Sequence, residues 1–178
     1  MADLVRLRRL LESDLAQLHR WYQSPELWDH LVGAFTPRAE SEAVAHMRGW
    51  LEPTHRELRL AIVRGEDGAL VGLVSLTPID REEGDAEFHI FLGEPGDRGR
   101  GYGRAATAAM LAHAFDEIGL WRIRLRVLRT NEAALRVYAA LGFEPEGPLE
   151  APVISMSVTD AVFRQRQAAA LSRAVGAR

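Results

Sequence analysis

Ala86-Glu87-Phe88-His89-Ile90-Phe91-Leu92 runs into a glycine-rich stretch containing Arg98-Gly99-Arg100-Gly101-Tyr102-Gly103-Arg104, and an alanine-rich run then continues to Ile118-Gly119. In physical terms these are a strand, a glycine loop and a helix. The pleat puts Glu87, His89 and Phe91 on one strand face and Phe88, Ile90 and Leu92 on the other. Glycine admits backbone angles and close approaches that other residues resist. The first amides of a helix lack internal partners and carry the positive end of its dipole. A glycine loop feeding a helix N-terminus is therefore an anion site, most naturally for phosphate. Taken alone, so short a motif fits a plain flexible loop equally well. Trp121-Arg122-Ile123-Arg124-Leu125-Arg126-Val127 follows, with apolar side chains at odd positions and arginines at even ones, the period of a half-buried strand. Strand, helix and strand in that order make one parallel crossover.

Working outward, Leu4–Arg8 reads as a strand. Glu12-Ser13-Asp14 starts a helix to Tyr22 with Leu15, Leu18, Trp21 and Tyr22 on one face, broken by Ser24-Pro25. Thr36-Pro37 begins another helix, with Val44, Met47 and Leu51 at helical spacing. Glu57–Val63 and Ala69–Leu76 flank a turn cluster as hairpin strands. On the C-terminal side, Thr130-Asn131 caps a helix carrying Ala134, Val137, Tyr138 and Leu141 on one face, ended by Gly142. Phe143–Pro145 and Val153–Val158 are the last strands, and Thr159-Asp160 starts a final helix. The expected fold is α/β: one domain over residues 1–158 with a mixed sheet of about seven strands and about four helices, and a C-terminal helical tail over 159–178.

The 178 residues include 22 of the Lys+Arg class, all arginine, and no cysteine. A lysine Schiff base and a Walker A phosphate loop are excluded, as are a cysteine nucleophile, a disulfide framework and a Cys-ligated zinc. A net charge of −3 argues against a nucleic-acid binder. No apolar run is long enough for a transmembrane helix, and the N-terminal residues lack a secretory pattern, so the expected location is the cytoplasm with no membrane partner. Residues 98–136 hold eight arginines against three acids, a net +5 that leaves −8 for the rest of the chain. Such a basic stretch beside a glycine loop suits a polyanionic cofactor. Gly101-Tyr102-Gly103-Arg104-Ala105-Ala106 also matches the dinucleotide fingerprint G-x-G-x-x-A. That fingerprint needs its turn directly after the first strand, whereas Gly93–Arg98 intervene here, so an NADP site is the weaker reading.

Arg98-x-x-Gly101-x-Gly103 resembles the pyrophosphate loop of the GCN5-related N-acetyltransferases (GNAT family). Asn131-x-x-Ala134-x-x-x-Tyr138-x-x-x-Gly142-Phe143 resembles that family's second element. Leu7-Arg8-x-Leu10 and Ser13-Asp14-Leu15 are similar to the branch of ribosomal-protein N-terminal acetyltransferases, although the short Glu146–Val153 connection departs from that branch's longer last hairpin. The resemblance spans Leu4 to Val158. It implies a sheet splayed between strands 4 and 5, acetyl-CoA as cofactor, and direct acetyl transfer to a primary amine: a protein N-terminus, a polyamine, an amino acid or an antibiotic.

Such transfer needs a deprotonated amine, a polarised thioester carbonyl and a proton for the leaving thiolate. Glu87 is the first choice of base, since its spacing of eleven residues before Arg98 is that of the base glutamate in the family's histone-acetylating branch. His89 is second, because an imidazole exchanges protons near neutral pH. The resemblance makes Tyr138 the donor to the sulfur. A phenol is protonated at neutral pH, and the same spacing also suits a core aromatic. Backbone N–H groups of Ile90, Phe91 and Leu92 would polarise the carbonyl. Amides of Gly99, Arg100, Gly101, Tyr102, Gly103 and Arg104 would hold pyrophosphate, aided by the Arg98, Arg100 or Arg104 side chains, and Asn131 would hold pantetheine, order water or simply cap its helix. Trp28, His30 and Phe35 are expected in the acceptor cleft, and the loop acids Glu26, Asp29, Glu82, Glu83 and Asp85 would suit a cationic amine. No metal site is expected, and a homodimer stays open. The rival of another class is a non-catalytic acyl-CoA-binding module, which would need neither Tyr138 nor a base.

Overall fold

A computed structural model describes residues 4–33 and 39–176 of the chain. Its elements are β1 (Val5–Arg9), α1 (Leu15–Tyr22), α2 (Pro25–Trp28), α3 (Glu40–Arg48), β2 (Leu58–Arg64), β3 (Leu70–Asp80), β4 (Asp85–Leu92), α4 (Tyr102–His113), β5 (Arg122–Leu128), α5 (Glu132–Leu141), β6 (Glu144–Pro145), β7 (Val153–Thr159) and α6 (Asp160–Gly176). The seven strands form one sheet in the order β1-β2-β3-β4-β5-β7-β6. Every neighbouring pair is antiparallel except β4 and β5.

The expected elements are present, with one addition. Ser24-Pro25 ends α1 and also starts the single turn α2, because proline fits a first helical position whose N–H needs no partner. The helix start expected at Thr36-Pro37 lies outside the described residues. Helix α4 continues into a π-helical turn, Ala114–Ile118, before Gly119.

The two faces of the sheet carry separate cores. On one face Met110 and Leu111 of α4 and Leu141 of α5 pack on Phe88, Ile123 and Leu125 of the sheet. On the other, Leu15, Leu18 and Trp21 of α1 and Met47 of α3 pack on Ala61, Leu73 and Phe91. Strand alternation produces this division: Phe88 points into the first core and Phe91 into the second. Asp14 ties β1 to α1. Arg8 donates to both of its carboxylate oxygens (2.6 and 2.9 Å), and the Leu11 N–H donates at 2.8 Å. Burial alone would raise the Asp14 carboxyl, but these bonds and the Arg8 charge hold it below the ordinary carboxylate range. Helix α6 docks by its first turns: Phe163 is buried against Phe115 (5.7 Å between ring centres), and Arg164 pairs with Asp116.

Candidate active site

The parallel pairing of β4 with β5 ends after three residues, Asp85↔Arg122, Ala86↔Ile123 and Glu87↔Arg124. Both strands continue beyond it, to Leu92 and Leu128, without a ladder between them. This is the splay expected between strands 4 and 5. Backbone N–H and C=O groups alternate sides along a strand, so one set of those in Phe88–Leu92 faces the gap. A cavity of about 830 Å³ lies there, lined by every residue from Glu87 to Leu92. Because consecutive residues lie on opposite faces, the cavity wraps around the open edge of β4 and reaches both layers of the molecule.

One end of the cavity is built by the glycine loop. Gly101 caps α4 with φ +85° and ψ −3°, a left-handed conformation that glycine adopts without a Cβ penalty. Gly99, Gly101, Gly103, Arg98 and Arg104 all line the cavity. Arg100 is exposed and Tyr102 is buried in the core, and neither side chain lines it. At these two positions only the backbone remains for anion binding. The loop is anchored at its start by Trp21, whose Nε1 donates to Glu94 at 2.7 Å. That indole covers Gly93 so closely that a Cβ there would lie 2.0 Å from the ring.

Tyr138 of α5 lines the cavity from the α4/α5 layer, 8% exposed and edge-on to Phe88 at 6.4 Å. Burial pushes its phenol up to about 12. It is both a core aromatic and a cavity wall, so the two readings of its spacing coincide. Glu87 and His89 face the opposite layer. Arg126 Nε donates to Glu87 Oε1 at 3.0 Å. His89 Nε2 lies 3.0 Å from the carbonyl oxygen of Thr77. A carbonyl can only accept, so Nε2 carries the proton and the lone pair of a neutral ring sits on Nδ1. The Thr77 carbonyl is available because the β3–β4 register shifts between Leu76 and Ile79, a bulge that leaves Thr77 out of the ladder.

Asn131 uses both ends of its amide inside the protein. Oδ1 accepts from the Ala134 N–H at 3.1 Å, capping α5, and Nδ2 donates to the His30 carbonyl at 3.3 Å. It thereby clasps α5 to the segment after α2. Trp28 and His30 line the cavity, and Phe35 lies outside the described residues. The loop acids Glu26, Asp29, Glu82, Glu83 and Asp85 do not line it. The basic stretch also disperses: Arg122 pairs with Glu146 and Arg124 with Asp85, while Arg98, Arg104, Arg126 and Arg136 reach the cavity. Arginines on one strand are drawn to whichever carboxylate the neighbouring strand presents, and register decides which.

Sequence reasoning missed Arg59, Ser75 and Thr77, which line the cavity together with Tyr22 and Trp50. Arg59 lies opposite Ser75 across β2–β3, and Ser75 opposite His89 across β3–β4. The signal was a lone arginine on the inward period of a hairpin strand, unreadable without the register. Among the described residues no group of three or more His, Asp or Glu is placed to hold a metal, and no helix is long and apolar enough to cross a membrane.

A family model described as an acetyltransferase (GNAT) domain matches residues 5–144. An uncharacterized N-acetyltransferase p20 of Bacillus licheniformis is 25% identical over 144 residues, 80% of each chain. The spermidine N(1)-acetyltransferase of Vibrio cholerae is 27% identical over 160 residues, 84% of each chain. A crystal structure of the V. cholerae spermidine N-acetyltransferase with CoA and spermine shares the fold, with a TM-score of 0.80 and 22% identity over 90% of this chain and 98% of that one. A dodecameric structure of that enzyme matches with a TM-score of 0.72 at 23% identity, over 89% of this chain and 95% of that one.

Proposed function

This chain belongs to the acetyltransferase (GNAT) family and is an N-acetyltransferase with acetyl-CoA as its acetyl donor, and from that premise we propose how its residues divide the work. The observation that carries the division is the open edge of β4. It lies between a left-handed glycine at a helix N-terminus and the Tyr138 phenol. Acetyl-CoA supplies the thioester whose acyl group is transferred. Amides of Gly99–Arg104, with the Arg98 and Arg104 side chains, hold the pyrophosphate. A backbone N–H of Ile90–Leu92 facing the gap donates to the thioester oxygen, where negative charge builds as the amine attacks.

His89 takes the proton of the attacking amine on Nδ1, since Thr77 holds Nε2 as a donor. Glu87, already engaged by Arg126, borders the same space and sits 3.9 Å from His89. Tyr138 donates to the departing sulfur. With its phenol near 12 it is a weaker acid than a thiol, whose reference value is about 8.5. It therefore stabilises the sulfur by hydrogen bonding, and the proton the thiol finally keeps balances the one lost by the amine. With no cysteine in the chain, transfer is direct, with both substrates bound together. Trp28, His30, Tyr22 and Trp50 border the acceptor. Acetyl-CoA is an intracellular metabolite, which supports a cytoplasmic location, and the dodecamer of the V. cholerae relative supports self-association.

Thiol release from acetyl-CoA with an amine panel tests this. Tyr138→Phe is expected to lower kcat about 100-fold and to leave acetyl-CoA binding intact. The wild type should show no alkaline fall in kcat/KM below about pH 11. Full turnover by Tyr138→Phe would remove the tyrosine from the chemistry.

A further inference from the structure

The charges around the acceptor end of the cavity bear on what the amine carries. Among the described residues lining the whole cavity Glu87 is the one carboxylate; Arg98 and Arg104 stand at the glycine-loop end, and Arg59 and Arg126 share the sheet face of Glu87. Residues 34–38 contain no Asp or Glu in the sequence. Glu87 is already engaged by Arg126 at 3.0 Å. A polyamine entering this cleft would bring two or more ammonium charges to a wall offering one carboxylate, itself paired. Desolvating charges without partners is costly, so the wall is poorly suited to a polycation.

Arg59 points the other way. Its side chain is 16% exposed, and its guanidinium lies 5.0 Å from the centre of the Trp50 ring. Nη1 donates to Glu57 at 2.5 Å. Glu57 does not line the cavity, whereas Arg59 does. A guanidinium carries five N–H donors in a planar fork, and Glu57 engages one of its nitrogens. Beside it on the same sheet face are Ser75 and Thr77, two hydroxyls that also line the cavity. The row Arg59–Ser75–His89 crosses three adjacent strands, so the Cα atoms of Arg59 and His89 are about 10 Å apart at the usual strand spacing. Tyr22, Trp28 and Trp50 supply an apolar wall, with Tyr22 ring centres 5.8 and 5.7 Å from those of Trp28 and Trp50.

We propose that Arg59 is the specificity-determining residue of the acceptor site and that the acceptor is a small amine bearing a carboxylate, an amino acid or short peptide rather than a polyamine. The carboxylate is held by the Arg59 fork beside Ser75 and Thr77, its apolar body lies along the aromatic wall, and its amino group faces His89. The proposal rests on the acetyltransferase reading above and names the substrate class of that same site.

The test uses the full chain with acetyl-CoA and amines matched with and without the carboxylate: phenylalanine against phenethylamine, 4-aminobutyrate against propylamine, with spermidine alongside. Thiol release should show kcat/KM at least tenfold higher for the carboxylated member of a pair, and spermidine should rank below it. Arg59→Gln should bring the within-pair ratio close to one, chiefly through KM, and Arg59→Lys should keep part of it. The ratio is read within one preparation, so partial misfolding of a variant does not change it. Spermidine or the decarboxylated amines as the better substrates, or a ratio that survives Arg59→Gln, overturns the proposal. So does a chain that binds acetyl-CoA and acetylates no member of the panel, with the family assignment left standing. A chain that fails to bind acetyl-CoA at all would instead bring down the acetyltransferase reading.

Discussion

Thr77 decides what His89 can do. Its carbonyl, freed by the β3 bulge, makes Nε2 a donor, and the ring's basic atom is then Nδ1. A single backbone oxygen thus sets the tautomer of a candidate base. His89→Ala is expected to slow transfer about 100-fold at neutral pH. Raising the pH toward the amine's own pKa should regain much of the loss, because the free amine then needs less help to shed its proton. A larger loss for Glu87→Gln, with His89→Ala near wild type in a pH–rate profile, would hand the role to the carboxylate. The spacing of Glu87 and His89 on one strand face was legible from the pleat. The engagement of Glu87 by Arg126 was not, because the two lie 39 residues apart in the chain and only the placement of β5 beside β4 brings them together.

At the scale of elements, the loop between β4 and α4 is held from both sides. Trp21 of α1 covers Gly93 and bonds Glu94. Arg64, at the end of β2, donates twice to Asp67 (2.9 and 3.0 Å), lies 3.7 Å from Asp97 within the loop and also interacts with the Tyr102 hydroxyl. Gly101 sits between these anchors with φ +85°. An alanine there strains the backbone by about 1 kcal/mol and brings its Cβ within 3.3 Å of Leu4. Gly101→Ala should therefore weaken acetyl-CoA binding by tenfold or more, measured by calorimetry, and change kcat with saturating cofactor much less. Unchanged cofactor affinity would show that the loop tolerates a Cβ and is not a close-fitting anion cradle. Glycines between a strand and a helix were visible in the chain. The clamps on them come from Trp21 and Arg64, which lie far upstream in sequence.

For the whole molecule, the sheet divides the labour. The layer of α4 and α5 carries the glycine loop and Tyr138, and Arg59, Ser75 and His89 lie in one row on the opposite face of the sheet. The gap between β4 and β5 is where they meet, so a ligand there links both layers. Acetyl-CoA at 100 times its Kd should stabilise the fold by about 2.7 kcal/mol, raising Tm by several degrees in a melting curve. NADPH should produce no such rise. No shift with acetyl-CoA, or an equal one with NADPH, would contradict the cofactor site.

Periodicity and capping were enough to locate the strands and most helices, because they are local: alternation at Arg122–Val127, the Asn131 cap, the Gly142 stop; β3, expected to end at Leu76, runs on through its bulge to Asp80. The glycine loop and Tyr138 were likewise legible, as they sit within short motifs whose chemistry depends on neighbours in the chain. Tertiary structure alone decided where β4 and β5 part, which arginines are consumed by ion pairs, and that Arg59, from a hairpin with no motif, lines the cavity. The reason is register: sliding one strand by a single residue turns every side chain to the other face, and no local pattern records which residues then become neighbours across the sheet.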